Sequence, residues 1–225
     1  MQSEGSHVSH GGQAGHVGHA RHASGPVHDL VVNLFFAGRR RAAFARLVER
    51  AGVRPGDRVL DVGCGDGYLT RAVAAGVGAR GSVLGVDPST GSLARARRIT
   101  RAPNCTFVEG RAQALDLPDS TYDVVVSSLM VHHLPEADRS QAMGEMLRVL
   151  RPGGRLLVAE FRPPSTSLGR TLIRLAPFIS DAMEHNPVHL LEPMVRDAGF
   201  ESVARGDLRP WLCYVTGTRP APSRT

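Results

Sequence analysis

The chain has 225 residues and contains no lysine, so all 27 basic residues are arginines, and the formal net charge is +6. Its 42% hydrophobic and 21% charged residues fit one ordinary globular domain. Without lysine, a lysine base and a Schiff-base nucleophile are excluded. No apolar run approaches the ~20 residues that a membrane helix needs, so we expect neither a membrane span nor a secretory signal.

Three cysteines, Cys64, Cys105 and Cys213, lie far apart in the sequence. Their spacing matches neither a zinc site nor a redox motif, so we expect no disulfide, no bound metal and a reducing cytoplasmic location. The positive charge fits acidic ligands, nucleic acid or anionic membrane surfaces and does not choose among them.

Residues 1–25 form a His- and Gly-rich extension that cannot bury a core, and we expect it to be disordered. Two interpretations of its histidines remain open, a metal-binding tail and a flexible extension with solvated imidazoles. The second is favoured because no ligand geometry is fixed. Residues 26–225 are predicted to form one domain.

In the domain, short β-rich runs alternate with helical patterns. Strands are predicted at residues 58–62, 82–86, 105–108, 122–128, 155–161, 200–204 and 211–216, the last two as a hairpin. Helices are predicted at residues 28–52, 69–77, 89–101, 135–150, 165–179 and 187–198, with a sharp turn at residues 152–154. This order indicates an α/β fold with a mostly parallel sheet flanked by helices.

The first strand runs into a glycine-rich turn that a helix follows. The spacing is Gly-x-Gly-x-Gly at Gly63, Gly65 and Gly67, with Asp61 two residues before and the small Cys64 inside. Such glycines let backbone N–H groups approach a ligand closely, and the helix N-terminus favours negative charge.

Asp87 ends the second strand, 20 residues beyond Gly67. An acid at this point can accept hydrogen bonds from both hydroxyls of a ribose. Taken alone, Asp87 is equally well explained as a helix cap or turn residue before Pro88. In combination with the glycine turn, the ligand-binding role is favoured.

The stretch from Val59 to Phe161 resembles the class I S-adenosylmethionine-dependent methyltransferases, most closely the ubiquinone/menaquinone-biosynthesis type that acts on small molecules. The resemblance rests on the glycine turn, Asp87, residues 122–134 and residues 147–156. It implies a Rossmann-like, doubly wound, seven-stranded sheet with one antiparallel strand and helices on both faces. It also implies S-adenosylmethionine as the cofactor. The implied cofactor-binding residues are Asp61, Gly63, Cys64, Gly65, Gly67, Asp87, Pro88, Arg111, Ala112, Gln113, Ser127 and Ser128.

One departure from the family pattern concerns the adenine end of the pocket. Relatives often carry Gly-Asp-Ala-Glu after the third strand, whereas this chain has Gly-Arg-Ala-Gln at residues 110–113. Arg111 cannot accept a hydrogen bond from the adenine amino group, but the amide oxygen of Gln113 can. We expect recognition through Ala112 and Gln113, or an Arg111 that turns outward and a cofactor that is held less tightly.

His132 and His133 follow the fourth strand, at the edge where doubly wound sheets bind ligands. Either is a candidate catalytic base, although a loop histidine that only packs over the cofactor is the simpler interpretation. Residues 28–52 and 163–190 are predicted to cover the site. Their apolar content suggests a small hydrophobic acceptor, and packing against the sheet explains it almost as well.

Two other functions stay open at this stage. Arginines that could contact phosphates suggest an RNA or DNA methyltransferase; they are Arg39, Arg40, Arg41, Arg95, Arg97, Arg98 and Arg101. Against it, the fourth strand lacks an Asn/Asp-Pro-Pro-Tyr/Phe signature. The second is a non-catalytic protein that binds S-adenosylmethionine or handles a metal. The sequence leaves monomer and homodimer open.

Overall fold

The computed structural model describes residues 36, 38–162, 186, 188–210 and 212–221. Its strands are β1 Arg58–Val62, β2 Ser82–Asp87, β3 Cys105–Glu109, β4 Tyr122–Ser128, β5 Leu150–Phe161, β6 Glu201–Leu208 and β7 Leu212–Thr218. Its helices are α1 Arg40–Arg50, α2 Tyr68–Val77, α3 Thr90–Ile99, α4 Glu136–Val149 and α5 Leu191–Asp197, with a 3-10 turn at Val131–His133. The predicted extension at 1–25, the helix at 165–179 and most of the predicted covering segments lie outside the described residues.

The strands form one sheet in the order β3-β2-β1-β4-β5-β7-β6. All neighbours are parallel except β7, which runs antiparallel to both β5 and β6. The prediction of a doubly wound, seven-stranded sheet with one antiparallel strand is therefore confirmed. Strand order reverses between β1 and β4, which places a ligand crevice at their carboxyl ends.

Two apolar clusters show that helices cover both faces of the sheet. Val124 and Val126 of β4 pack with α1 and α2, while Val125 between them packs with α4 and α5. Successive side chains of a strand point to opposite faces, so a nearly continuous apolar strand supplies both clusters. This rigid centre holds the loops at the sheet edge in place.

The predicted turn at residues 152–154 is wrong, because these residues lie inside β5. Tyr122 pairs with Leu150, whereas Val124 pairs with Arg155, so residues 151–154 form a large bulge. Gly153 adopts a φ of 74°, and its N–H donates to the carbonyl of Arg219 at 2.9 Å. Arg219, which directly follows β7, also donates its N–H to the carbonyl of Gly154, and these two hydrogen bonds hold the bulge within the strand.

Two predicted bounds near the C-terminus also shift. The helix predicted from residue 187 begins at Leu191, and the strand predicted to end at residue 204 continues to Leu208. The longer β6 follows from its pairing with β7, whose ladder extends from Glu201 to Leu208. Within the described ranges, no helix has both the length and the apolar character needed to cross a bilayer.

Candidate active site

The glycine turn is fastened to β2 through its backbone. The N–H groups of Gly63 and Cys64 both donate to the carbonyl of Val86, at 2.8 and 3.0 Å. A side chain at Gly63 would collide with Met130, which belongs to the loop after β4. A side chain at Gly65 would instead point into open space. The first glycine thus allows two loops to pack, and the second leaves room beside the turn for a ligand.

Asp87 is held at the end of β2 by two backbone donors. Its Oδ2 accepts the N–H of Gly65 at 2.8 Å, and its Oδ1 accepts the N–H of Ser89, just past Pro88, at 2.9 Å. An ionised carboxylate has about four lone-pair positions, so each oxygen keeps capacity for another donor. This arrangement suits a ligand with two neighbouring hydroxyls, such as a ribose.

Asp61 is buried beside the same turn, with 1% of its surface exposed. Thr70 Oγ1 donates to Oδ2 at 2.6 Å, whereas Oδ1 has no hydrogen-bond partner in the described part of the chain. Burial raises the pKa of Asp61 to about 7, the charge of Asp87 adding to the effect and the Thr70 hydrogen bond opposing it. A buried oxygen without a partner fits a site that receives a cationic donor, and S-adenosylmethionine carries an ammonium and a sulfonium group.

The segment after β3 places its three candidate residues differently. Arg111 is exposed and pairs through its backbone with Ala114, so it follows the outward alternative. Ala112 is buried, and Gln113 donates from Nε2 to Asp138 Oδ2 at 3.1 Å. That hydrogen bond holds the amide of Gln113 and leaves its carbonyl oxygen available as an acceptor.

The carboxyl end of β4 leads into a strained loop. Ser127 is fully buried, and its Oγ has no partner among the described residues, while Ser128 is half-buried. Leu129 follows with a φ of 57°, a left-handed conformation that a branched side chain disfavours. The chain then enters the 3-10 turn that carries both candidate histidines.

The two histidines differ in burial and in partners. His132 is buried, and its Nδ1 lies 2.7 Å from Oε2 of Glu160, the residue before the last one of β5. His133 is exposed, with its ring centroid 4.0 Å from that of His132. The carboxylate of Glu160 therefore holds the buried imidazole of His132 in a fixed position.

Glu160 is a residue of the site that the sequence analysis missed. It is fully buried, and Oε1 also accepts the backbone N–H groups of Val131 at 2.8 Å and His132 at 3.4 Å. An acid directly after the apolar run at residues 156–159 was the available signal, because β4 and β5 are parallel neighbours whose carboxyl ends share one edge.

Cys64 lies in the turn but does not have the properties of a nucleophile. Its side chain packs with Leu93, Ala96 and Phe107, and burial raises the pKa of its thiol. The thiolate, which is the nucleophilic form, is therefore disfavoured. Its placement fits the expected need for a small side chain in the turn.

Three of the seven arginines that suggested nucleic-acid binding contact the protein itself. Arg97 donates to the carbonyl of Phe107 at 2.7 Å, and Arg95 lies 3.8 Å from the carboxylate of Asp66. The guanidinium of Arg40 stacks on the ring of Tyr68 at 3.7 Å. Histidine, cysteine and acidic side chains do not gather into a metal-binding group within the described ranges, which exclude the His-rich tail.

Comparison with known proteins agrees with this geometry. A family profile described as "Methyltransferase domain" matches residues 59–154. The ubiquinone/menaquinone biosynthesis C-methyltransferase UbiE of Ectopseudomonas mendocina is 34% identical over 200 residues, covering 78% of this chain and 77% of that protein. Demethylmenaquinone methyltransferase of Renibacterium salmoninarum is 35% identical over 168 residues, covering 72% of this chain and 68% of that protein.

Solved structures share the fold. A SAM-dependent methyltransferase from Aquifex aeolicus superposes with a TM-score of 0.60 at 19% identity, covering 78% of this chain and 89% of that chain. The family profile and the curated relatives support an enzyme that methylates a small molecule over a nucleic-acid methyltransferase or a non-catalytic protein. The chain belongs to the class I S-adenosylmethionine-dependent methyltransferases, in the family of the ubiquinone/menaquinone biosynthesis C-methyltransferases.

Proposed function

We propose that this enzyme methylates a ring carbon of a quinol-type acceptor, using His132 as the base that ionises the acceptor hydroxyl. The names of the related enzymes point to quinones as acceptors. The observation that carries the proposal is the buried His132–Glu160 pair at the crevice edge. A phenolic hydroxyl activates its neighbouring ring carbon far more strongly once it has lost its proton, so a fixed base serves carbon methylation directly.

In this proposal the cofactor lies over the carboxyl ends of β1 and β2. Asp87 would accept hydrogen bonds from the ribose hydroxyls, and Asp61 would face the ammonium or sulfonium group of the cofactor. The open space beside Gly65 would accommodate the ligand. Ala112 and Gln113 would contact the adenine, and Pro88, Ser127 and Ser128 would line the rest of the cofactor pocket. When bound, S-adenosylmethionine supplies a methyl group already activated on its sulfonium, so the protein needs to align the acceptor and exclude water.

His132 would act from the β4 side of the crevice. Its Nδ1 faces Glu160, which leaves Nε2 as the nitrogen able to take a proton. His133 is exposed and remains the second candidate base, but the proposal is built on His132 because that side chain is buried and paired with Glu160.

The covering role of residues 28–52 and 163–190 remains a proposal and rests on their apolar sequence. We also propose a cytoplasmic location, supported by three cysteines that carry free thiols.

The direct test is turnover of full-length protein with S-adenosylmethionine and a short-chain demethylmenaquinol, kept reduced with dithionite. We expect production of S-adenosylhomocysteine and a ring-methylated quinol, identified by mass spectrometry. Transfer RNA and the oxidised quinone serve as matched non-acceptors. Methylation of RNA, or of oxygen in place of carbon, would contradict the proposal.

A further inference from the structure

We propose that Glu160 is a positioning residue, which fixes the tautomer of His132 so that its Nε2 can accept the acceptor's hydroxyl proton. This inference rests on the proposed function, because it assigns the base a partner that controls it. The two side chains lie 28 positions apart in sequence and meet at 2.7 Å, with 3% and 0% of their surfaces exposed.

The geometry divides the two oxygens of Glu160 between separate tasks. Oε1 accepts the backbone N–H groups of Val131 and His132, and both of these groups can only donate. Oε2 faces the imidazole of His132. With Glu160 ionised, Oε2 accepts as well, so the proton of a neutral imidazole is on Nδ1 and the lone pair is on Nε2.

The proton transfer that follows is balanced without any further reactant. The hydroxyl O–H bond of the acceptor breaks, its electron pair stays on oxygen, and a new N–H bond forms at Nε2. The resulting imidazolium is then adjacent to the carboxylate of Glu160. A buried carboxylate that meets three N–H groups is well placed to stabilise that charge.

If Glu160 only held the loop in place, Glu160→Gln would be expected to keep the activity of the enzyme. In Glu160→Gln the amide oxygen must take the Oε1 position, because the backbone N–H groups of Val131 and His132 need an acceptor there. The NH₂ group then faces Nδ1 and donates to it, which moves the imidazole proton to Nε2. The loop therefore keeps its backbone hydrogen bonds, but the base is blocked.

The experiment compares Glu160→Gln with His132→Asn and with Glu145→Gln. Asparagine at 132 keeps a donor toward Glu160 and removes Nε2. Glu145 is a carboxylate on α4 that accepts a backbone N–H from Leu115 at 2.7 Å and pairs with Arg148, so its substitution is a control for the same chemical change away from the histidines. Each full-length variant is assayed by single turnover with saturating S-adenosylmethionine and the short-chain demethylmenaquinol. Affinity for S-adenosylmethionine is measured by calorimetry.

A second readout does not depend on activity. ¹⁵N NMR of histidine-labelled protein distinguishes the Nδ1–H from the Nε2–H tautomer, and the His132→Asn spectrum assigns the His132 signals. We expect Nδ1–H in the wild type and Nε2–H in Glu160→Gln. The Glu160→Gln rate should fall about 100-fold or more, a typical size for loss of general-base catalysis. Its S-adenosylmethionine affinity should stay within about threefold of the wild type, and Glu145→Gln should keep the wild-type rate.

The results test the positioning role of Glu160 and the base role of His132 separately. A folded Glu160→Gln with the wild-type rate, or a wild-type His132 that carries its proton on Nε2, overturns the positioning role. If Glu160→Gln does not fold, the wild-type tautomer alone decides. If His132→Asn keeps its rate, the base itself is wrong and the proposed function fails with it. If only His132→Asn is slow, the base stands and Glu160 has a merely structural role.

Discussion

The two halves of the crevice are built by different means. The centre of the cofactor half, at the ends of β1 and β2, is formed by backbone groups and acids of one short segment, from Asp61 to Ser89. The acceptor half depends on Glu160 of β5 reaching the turn after β4. In the cofactor half, binding therefore depends on the backbone of one segment. In the acceptor half, replacing the single side chain of Glu160 removes the contacts that hold the turn.

The largest effect in the cofactor half is expected for Asp87→Ala. This variant loses the acceptors for the Gly65 and Ser89 N–H groups and the partner for a ribose. Two hydrogen bonds to a charged group contribute about 1.5–3 kcal/mol each, so S-adenosylmethionine affinity should fall about 100-fold or more. Calorimetry on the folded variant measures this, with Asp87→Asn as the milder control. An unchanged affinity would remove the ribose role.

The difference between Gly63 and Gly65 gives a sharper comparison within the turn. Gly63→Ala must displace Met130 and should cost about 2–3 kcal/mol of unfolding free energy. Gly65→Ala meets no atom within 4 Å and should cost about 1 kcal/mol, from backbone strain at its φ of 53°.

Urea unfolding separates these two costs, and calorimetry then tests what the open space is for. If the space beside Gly65 belongs to the cofactor, Gly65→Ala should weaken binding by more than its small stability loss suggests. Equal stability losses in the two variants would contradict the packing difference. Wild-type affinity in Gly65→Ala would show that the ligand lies elsewhere.

Asp61 predicts a pH dependence of the cofactor half. Its pKa rises from 3.8 to about 7 on folding, so between these values the folded chain holds a proton that the unfolded chain has released. The free energy of unfolding should therefore fall as pH rises through this window, by up to about 1.4 kcal/mol per unit, and level off above pH 7. Urea unfolding from pH 4.5 to 8 measures the slope. Asp61→Asn should flatten it, and an identical slope in that variant would contradict the assignment.

The smallest effect is expected at Arg111. Its exposed side chain leaves adenine recognition to Ala112 and Gln113, so Arg111→Ala should change S-adenosylmethionine affinity less than about threefold. Gln113→Ala should have the larger effect, because it removes the amide that Asp138 orients. If S-adenosylmethionine affinity falls more in Arg111→Ala than in Gln113→Ala, the assignment of the adenine contacts to Ala112 and Gln113 is contradicted.

The prediction of the cofactor half rests on local signals. The spacing of three glycines, the position of Asp87 and the alternation of strands and helices are found in short segments, whereas the seven-stranded sheet was implied by the family resemblance. For Glu160 the local signal was an acid at the end of β5, but its pairing with His132 across 28 positions depends on β4 and β5 being parallel neighbours, which no short segment specifies. The bulge in β5 was missed for a related reason. Residues 152–154 have the composition of a turn, and the backbone of the distant Arg219 pairs with Gly153 and Gly154 within the strand.

The contact between Gly63 and Met130 also has an evolutionary meaning. A Cβ at position 63 would collide with the Cγ of Met130 and lie 2.7 Å from its Cβ, so a side chain there requires the loop after β4 to move, and changes at the two positions are linked. Met130 directly precedes the turn that carries His132. The packing of Gly63 on Met130 therefore links the glycine turn, where the cofactor is proposed to bind, to the turn that is proposed to face the acceptor. A descendant of this enzyme is freer to acquire a new acceptor by changing the side chains around His132 than by rebuilding this junction.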